Sequence, residues 1–134
     1  MQPTLEQLVG HTVSHVWFGD YSALYLELGQ LTPGATRNPQ GQFTIYAGFD
    51  WRLEGGGSNS GGFNSSSTAN QLLGTAVTGA KLSVDSSELE VGFSNGVHLI
   101  TVSLGEPDWH VSFRPSNLHL CIEGGRLVVD RRDS

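Results

Sequence analysis

The chain is short of sulfur and short of charge for its 134 residues, and both shortages limit what it can be. Its single cysteine, Cys121, excludes an intrachain disulfide. Charged residues make up 15% of the sequence and hydrophobic residues 37%, whereas a disordered chain carries more charge and fewer apolar residues. This length favours one domain that buries enough surface to fold without cross-links.

Basic residues are scarcer than acidic ones. Seven Lys and Arg stand against 13 Asp and Glu, for a net charge of −6, which argues against a nucleic-acid partner because phosphate contacts need clustered cations. No stretch reaches the roughly 18 apolar residues of a membrane helix. The N-terminal "MQPTLEQLVG" lacks the basic segment and apolar run of a signal peptide. We therefore expect a soluble cytoplasmic protein that binds neither nucleic acid nor membrane.

A short phrase occurs twice. "TLEQLVG" at residues 4–10 and "TANQLLG" at 68–74 share Thr, Gln, Leu and Gly at the same spacing, and an Asp-Trp pair recurs at 50–51 and 108–109. The order of matches predicts a single domain, residues 1–134, built from an internal repeat about a pseudo-two-fold axis. The repeats would cover about 4–54 and 68–113, joined by a Gly/Ser-rich loop at 55–67 and followed by an extra hairpin at 117–130.

Each repeat begins with a helix signal and continues with strand signals. The T-x-x-Q spacing is a capping box, and Gly10 or Gly74 ends the helix after one or two turns. The pattern then alternates between apolar and polar residues. The sequence therefore predicts a mainly β fold (α+β with two short helices), in which two pseudo-symmetric half-domains form a β-sandwich or a flattened barrel.

The alternation also predicts which side chains are buried. In the first repeat Leu24, Leu26 and Leu28 would face inward, and Tyr25 and Glu27 outward. In the second repeat, Asn95-Gly96 favours a two-residue hairpin loop. That loop would set Val91 opposite Ile100, which predicts one apolar face and one polar face. The apolar face would hold Leu89, Val91, Phe93, Ile100 and Val102, and the polar face Glu88, Glu90 and Thr101.

The repeated Asp-Trp pair is the first candidate for chemistry. Asp50 and Asp108 would occupy equivalent sites and could share a proton if both lay near the axis. The alternative is that each aspartate caps its turn while each tryptophan fills the core. Arg52 and His110, which follow the two tryptophans, complete this group of candidate ligand or partner contacts.

Trp17 and Tyr21 in "WFGDY" form a second candidate contact, as an exposed recognition patch. The alternative is that these rings are core residues at a strand end. No catalytic residue is predicted with either group.

No metal site and no cofactor are predicted. His11 and His15 have helical ligand spacing, but Gly10 should end the helix before them. His119 and Cys121 would share one face of a strand, where alternate side chains stand roughly 6.5–7 Å apart. That distance is too long for a base to activate a thiol, so Cys121 is interpreted as a small hydrophobic residue.

The pattern "L-x-G-x-x-V…L-x-L-x-L…DW-x-L", taken twice, resembles families of small bacterial proteins of unknown function, including suspected immunity proteins of toxin systems. The resemblance implies a compact β-rich domain and transfers no catalytic residue. With the acidic surface, it favours a non-enzymatic protein–protein interaction module, and a homodimer remains open. The alternatives are a small-ligand binder with a cavity between the halves and a hydrolase using Asp50, Asp108 and His110.

Overall fold

The protein is a β-sandwich of two antiparallel sheets that do not close into a barrel. The computed structural model describes residues 4–19, 23–33, 38–48, 51–55, 70–82, 88–101, 108–123 and 126–131. Asp50, Tyr21 and most of the Gly/Ser-rich loop lie outside these ranges. Among the described residues, no helix is long and apolar enough to cross a membrane.

The larger sheet has six strands in the order β1-β2-β3-β8-β9-β10. Their bounds are β1 Val13–Phe18, β2 Leu24–Leu28, β3 Phe43–Ala47, β8 Trp109–Phe113, β9 Leu118–Glu123 and β10 Arg126–Arg131. The smaller sheet has four strands in the order β4-β7-β6-β5. Their bounds are β4 Trp51–Gly55, β5 Val77–Leu82, β6 Leu89–Phe93 and β7 Val97–Thr101.

The two stretches predicted to be repeats contribute strands in the same way. Each supplies three consecutive strands to one sheet and its fourth strand to the other. Thus β8 pairs with β3, with Trp109 opposite Ala47, and β4 pairs with β7, with Trp51 opposite Thr101. Both first strands carry an irregularity near their start. A shared origin of the two stretches stays a prediction.

The predicted short helices are single 3-10 turns at Leu5–Leu8 and Asn70–Leu72. The backbone N–H of Thr4 donates to Gln7 Oε1 at 2.8 Å, which is one arm of the predicted capping box. Gly10 follows the first turn with φ +92°, a conformation that favours glycine. Another 3-10 turn, Arg114–Ser116, precedes β9.

The core lies between the two sheets. Fully buried leucines, valines and one isoleucine fill it, including Leu24, Leu26 and Leu28 as predicted. Trp51 and Trp109 are each only 3% exposed, so both tryptophans of the Asp-Trp pairs are core residues. The ring centroids of Phe18 and Trp51, from different sheets, are 6.2 Å apart.

One predicted register is wrong by one residue. Val91 pairs with Leu99 instead of Ile100, so the β6–β7 loop has three residues with Gly96 in the left-handed region, φ +86°. A three-residue loop of this kind ends in a left-handed residue, and glycine fits it as well as it fits a two-residue turn. The shift changes which side chains are buried. Val97 and Leu99 are buried and Ile100 is half-buried, while Thr101 and Glu88, both predicted on the polar face, are buried. Val102, predicted on the apolar face, lies outside the described residues.

Strands β9 and β10 form the C-terminal hairpin that was predicted at 117–130. Glu123 pairs with Arg126 and Leu120 with Val129. Strand β9 also pairs with β8, so the hairpin extends the larger sheet beyond the strands of the predicted repeat. This extension gives the larger sheet a wider outer surface than the smaller one.

Candidate functional site

A row of rings crosses the outer face of the larger sheet. Directly paired residues on neighbouring strands project from the same face. Register pairs Trp17 with Tyr25, Tyr25 with Tyr46, Tyr46 with His110, and His110 with Cys121. We call Trp17, Tyr25, Tyr46 and His110 the aromatic row; all four side chains are half-buried.

The rings of the aromatic row touch in sequence. Trp17 stacks on Tyr25 with centroids 3.8 Å apart, and Tyr46 stacks on His110 at 4.6 Å. Tyr25 meets Tyr46 edge to face at 5.0 Å. Such cross-strand aromatic contacts stabilise a sheet and hold each ring in place. The result is a continuous aromatic strip across four strands.

Glu27 lies beneath one end of the aromatic row. Only 1% of it is exposed, and its carboxylate accepts hydrogen bonds from three donors. Trp17 Nε1 donates at 2.8 Å, the backbone N–H of Gly41 at 3.0 Å, and Thr44 Oγ1 at 2.5 Å. The carboxylate therefore fixes the indole orientation, because a buried charge needs all its available donors. The prediction that Glu27 faces outward is correct, but the residue is covered.

Arg114 extends this polar network. Its Nη1 donates to Thr44 Oγ1 at 2.7 Å and to the Gly41 carbonyl at 3.2 Å, and its Nε donates to Gln40 Oε1 at 3.1 Å. Arg114 begins the 3-10 turn Arg114–Ser116, so this turn is tied to Gln40 and Gly41, and the Gly41 N–H in turn bonds Glu27. These contacts point to a structural role for Arg114.

Asp108 flanks the centre of the aromatic row. The Gly48 backbone N–H donates to the Asp108 carbonyl at 2.8 Å, and a Cβ at Gly48 would collide with the Asp108 carboxylate. Burial, followed by the charge of Asp108 and then Tyr25, raises the pKa of Tyr46 above its ordinary value of 10.0. The Tyr46 phenol is therefore neutral at physiological pH and available as a hydrogen-bond donor.

A polar cluster lies beyond the row, on β9 and β10. The ligand atoms of His119, Cys121 and Asp130 all lie within 4.8 Å of one another. The His110 and His119 ring centroids are 5.9 Å apart, which connects the cluster to the row. Burial, then the carboxylates of Glu123 and Asp130, raise the pKa of the Cys121 thiol. A raised pKa disfavours the thiolate that nucleophilic catalysis needs.

The smaller sheet presents a different outer row at the matching register. Lys81 pairs with Glu90, Glu90 with Ile100, and Ile100 with Arg52. In the two-fold arrangement of strands, Ile100 of β7 holds the place that Tyr46 holds in β3, because β7 and β3 are both third strands. Arg52 forms a 2.7 Å ion pair with Glu54, and both side chains are about half exposed. This surface is charged and carries no ring in that row.

Two of the clefts lined by described residues open on the outside of the sandwich. One of about 160 Å³ is lined by Gln40, Ser112, Phe113, Arg114, Asn117 and Leu118. The other, of about 290 Å³, lies on the smaller sheet beside Gly79, Gly92 and His98. Their volumes fall below the usual range of sites for drug-sized ligands.

The structure separates the candidates predicted from the sequence. Trp17 and His110 lie at opposite ends of the aromatic row on the larger sheet, and Asp108 directly precedes β8, whereas Arg52 lies on the smaller sheet. Asp50 and Tyr21 lie outside the described residues, so the predicted acid pair is not defined. His11 packs against Phe43 and His15 contacts Asn38, which gives each imidazole a separate environment.

Sequence reasoning missed Tyr46 altogether and assigned Tyr25 only a direction. Each tyrosine stands at an outward position of a strand with alternating apolar residues, and this position was the sequence signal that could have identified it as a surface ring. Comparison of the chain with protein-family models, curated proteins and solved structures found no match in any of the three.

Proposed function

We propose that the protein is a protein–protein interaction module that binds its partner through the aromatic row. One observation carries this proposal: equivalent rows of the two sheets have opposite chemistry. The larger sheet presents Trp17, Tyr25, Tyr46 and His110, where the smaller sheet presents Lys81, Glu90, Ile100 and Arg52. A sandwich needs no ring on its outer face to fold, so the contrast favours recognition.

The residue types of the row suit a protein partner. Tyrosine and tryptophan are enriched at interface centres because they offer large contact areas with few torsions to immobilise. Stacking and the Trp17–Glu27 hydrogen bond already restrict the rings. Pre-ordered side chains lose less conformational entropy on binding, which raises affinity.

The charge around the row indicates a basic partner. Asp108 directly precedes β8, Glu123 and Asp130 lie on β9 and β10 of the same sheet, and the whole chain carries a net charge of −6. A partner that presents arginine could stack its guanidinium on a tyrosine or indole while pairing with these carboxylates. An acidic protein that blocks a basic toxin, as an immunity protein does, is the form of this function that we favour.

A small ligand between the two halves has less support. Fully buried side chains from both sheets occupy that space, including Leu26, Leu99 and Val111. The clefts described above open on the outer faces instead.

The proposal can be tested by affinity capture with matched variants. The wild-type chain, Tyr46→Ala and Ile100→Ala are immobilised and exposed to lysate of the expressing cell, and bound proteins are quantified by mass spectrometry. We expect a basic protein to be retained by the wild type and by Ile100→Ala and lost from Tyr46→Ala. Tyr46→Arg, whose long side chain still covers Tyr25, should also lose it through charge repulsion.

Capture of the same proteins in the same amounts by all four chains would contradict the proposal. Melting temperatures measured beforehand ensure that each immobilised chain is folded. Sedimentation of the free chain tests whether the protein forms a homodimer. If the wild type self-associates and Tyr46→Ala does not, a second copy rather than a different protein occupies the aromatic row.

A further inference from the structure

Three potential metal ligands meet on the C-terminal hairpin. His119 and Cys121 alternate on β9 and therefore share a face, and Asp130 on β10 is directly opposite His119. The His119 Nε2 lies 3.7 Å from Asp130 Oδ2. All three ligand atoms fall within 4.8 Å of one another.

The ligand atoms are not held by strong competing bonds. On His119 it is Nε2 that faces Asp130, with no bond shorter than its 3.7 Å contact to Oδ2, while the other ring nitrogen, Nδ1, is buried and has no hydrogen-bond partner in the described part of the chain. The Cys121 thiol makes one long contact, 3.7 Å from its Sγ to Glu123 Oε2. Zinc–ligand bonds of about 2.0–2.3 Å place ligand atoms roughly 3.3–3.8 Å apart. Small side-chain rotations would therefore bring the three atoms to bonding distance.

We propose that His119, Cys121 and Asp130 bind a divalent transition-metal ion, for which zinc is the best match. Thiolate and imidazole select zinc over calcium or magnesium, which take oxygen ligands. Three protein ligands on a half-exposed hairpin leave a fourth position for water or for a donor atom of another molecule. On binding, the Cys121 thiol releases its proton to solvent as the sulfur lone pair bonds to the metal, with no change of oxidation state.

The local charge favours a cation. Besides Asp130, the Glu123 carboxylate is close to the sulfur, so a zinc ion would face two carboxylates and a thiolate. The sequence spacing alone predicted no site, because it considered only His119 and Cys121 on a single strand. Strand pairing supplies Asp130, a residue that no local motif connects to them.

This inference does not depend on the proposed function and has its own readout. The full chain is stripped with a chelator and titrated with Co²⁺, which reports a cysteine ligand through a thiolate-to-metal charge-transfer band. Zinc affinity is then measured by competition with a chromophoric chelator. The variants are Cys121→Ser, His119→Gln and Asp130→Asn.

His98→Gln is the matched control. His98 lies 3.6 Å from Glu90 on the outer face of the smaller sheet. The substitution therefore removes a histidine that lies beside a carboxylate but has no cysteine nearby. We expect one equivalent of metal in the wild type and in this control. Loss of Cys121 should abolish the charge-transfer band, and each ligand variant should weaken zinc binding by about 100-fold or more, since even outer-shell partners contribute 10–100-fold.

Three results would overturn the inference. The first is no zinc binding at micromolar concentrations. The second is a cobalt spectrum without a thiolate band. The third is an equal loss of affinity in His98→Gln and Cys121→Ser. The three ligand side chains are half-buried, so the melting temperature of each variant is measured to separate loss of ligand from loss of fold.

Discussion

At the scale of single residues, the aromatic row depends on a buried carboxylate. Glu27 accepts hydrogen bonds from Trp17, Thr44 and the Gly41 backbone N–H. One side chain therefore orients the indole and also holds the backbone at Gly41. Burial of a carboxyl group is costly unless hydrogen bonds satisfy its oxygens. The same residue therefore connects fold stability with the geometry of the proposed binding surface.

Glu27→Ala is expected to destabilise the protein by about 3 kcal/mol, because it leaves buried donors without an acceptor. Chemical denaturation measures the change in the free energy of unfolding. Glu54→Ala is the control: its side chain is 47% exposed, and its ion pair with Arg52 should be worth no more than about 1 kcal/mol. Equal effects of the two changes would show that the Glu27 network does not stabilise the fold.

Tyr46 gives a pH-dependent prediction. Burial and the Asp108 charge raise its pKa, so the folded state favours the neutral phenol. Its contribution to stability is complete below the unfolded value near 10.0 and is lost as the pH rises through the higher folded value. Asp108→Asn removes the second cause but keeps the burial.

We therefore expect Asp108→Asn to lower the Tyr46 pKa without returning it fully to the ordinary value. Ultraviolet titration of phenolate, with Tyr46→Phe subtracted to isolate this residue, measures the shift. An unchanged or higher pKa in Asp108→Asn would mean that the Asp108 carboxylate does not act on Tyr46.

At the scale of elements, the sequence predicted the strands β6 and β7 but not the register in which they pair. The alternation in "ELEVGF" predicted that Leu89, Val91 and Phe93 are buried, and the structure confirms this. Asn95-Gly96 marked the turn, but these residues suit both a two-residue and a three-residue loop. Asn95 instead donates to the Gln71 carbonyl and accepts from the Val97 backbone N–H, contacts that accompany the three-residue loop.

Gly96→Ala should cost about 1 kcal/mol, because φ +86° is unfavourable for a residue with a Cβ. Gly96→Asn should cost less, since asparagine tolerates the left-handed region. Thermal unfolding of the two variants gives the comparison. If alanine were as stable as glycine, the turn conformation described here would be wrong.

The candidate site was predictable only in part for a related reason. The sequence marked Trp17, Asp108 and His110, and it gave Tyr25 an outward direction. It could not place Tyr46 beside His110, because β3 and β8 are paired across more than 60 intervening residues. The aromatic row and the metal-ligand cluster both depend on strand neighbours, which local periodicity does not encode.

At the scale of the whole molecule, the exchange of fourth strands joins the two stretches. Strand β4 completes the smaller sheet and β8 connects β3 to the C-terminal hairpin. Backbone hydrogen bonds also cross between the stretches, from Gly10 N to Val77 O at 2.8 Å and from Gly74 N to Val13 O at 2.9 Å. Neither stretch therefore holds a complete sheet alone.

Residues 1–66 expressed alone should remain unfolded, because their β4 lacks β7 and their β3 lacks β8. Mixing this fragment with residues 67–134 should restore the sandwich, which circular dichroism and amide NMR dispersion would detect. A cooperatively folded 1–66 fragment would contradict this interdependence.

The most direct test of the central claim, that the outer face of the larger sheet is the binding surface, is a calorimetric titration. The captured partner, once purified, is titrated into the wild type, Tyr46→Ala and Ile100→Ala. We expect Tyr46→Ala to weaken binding by at least about 30-fold, as loss of a central tyrosine contributing about 2 kcal/mol would. Ile100→Ala should change the Kd by less than about twofold, within the range of contacts outside an interface. Equal dissociation constants for wild type and Tyr46→Ala, or a larger loss in Ile100→Ala, would contradict the account.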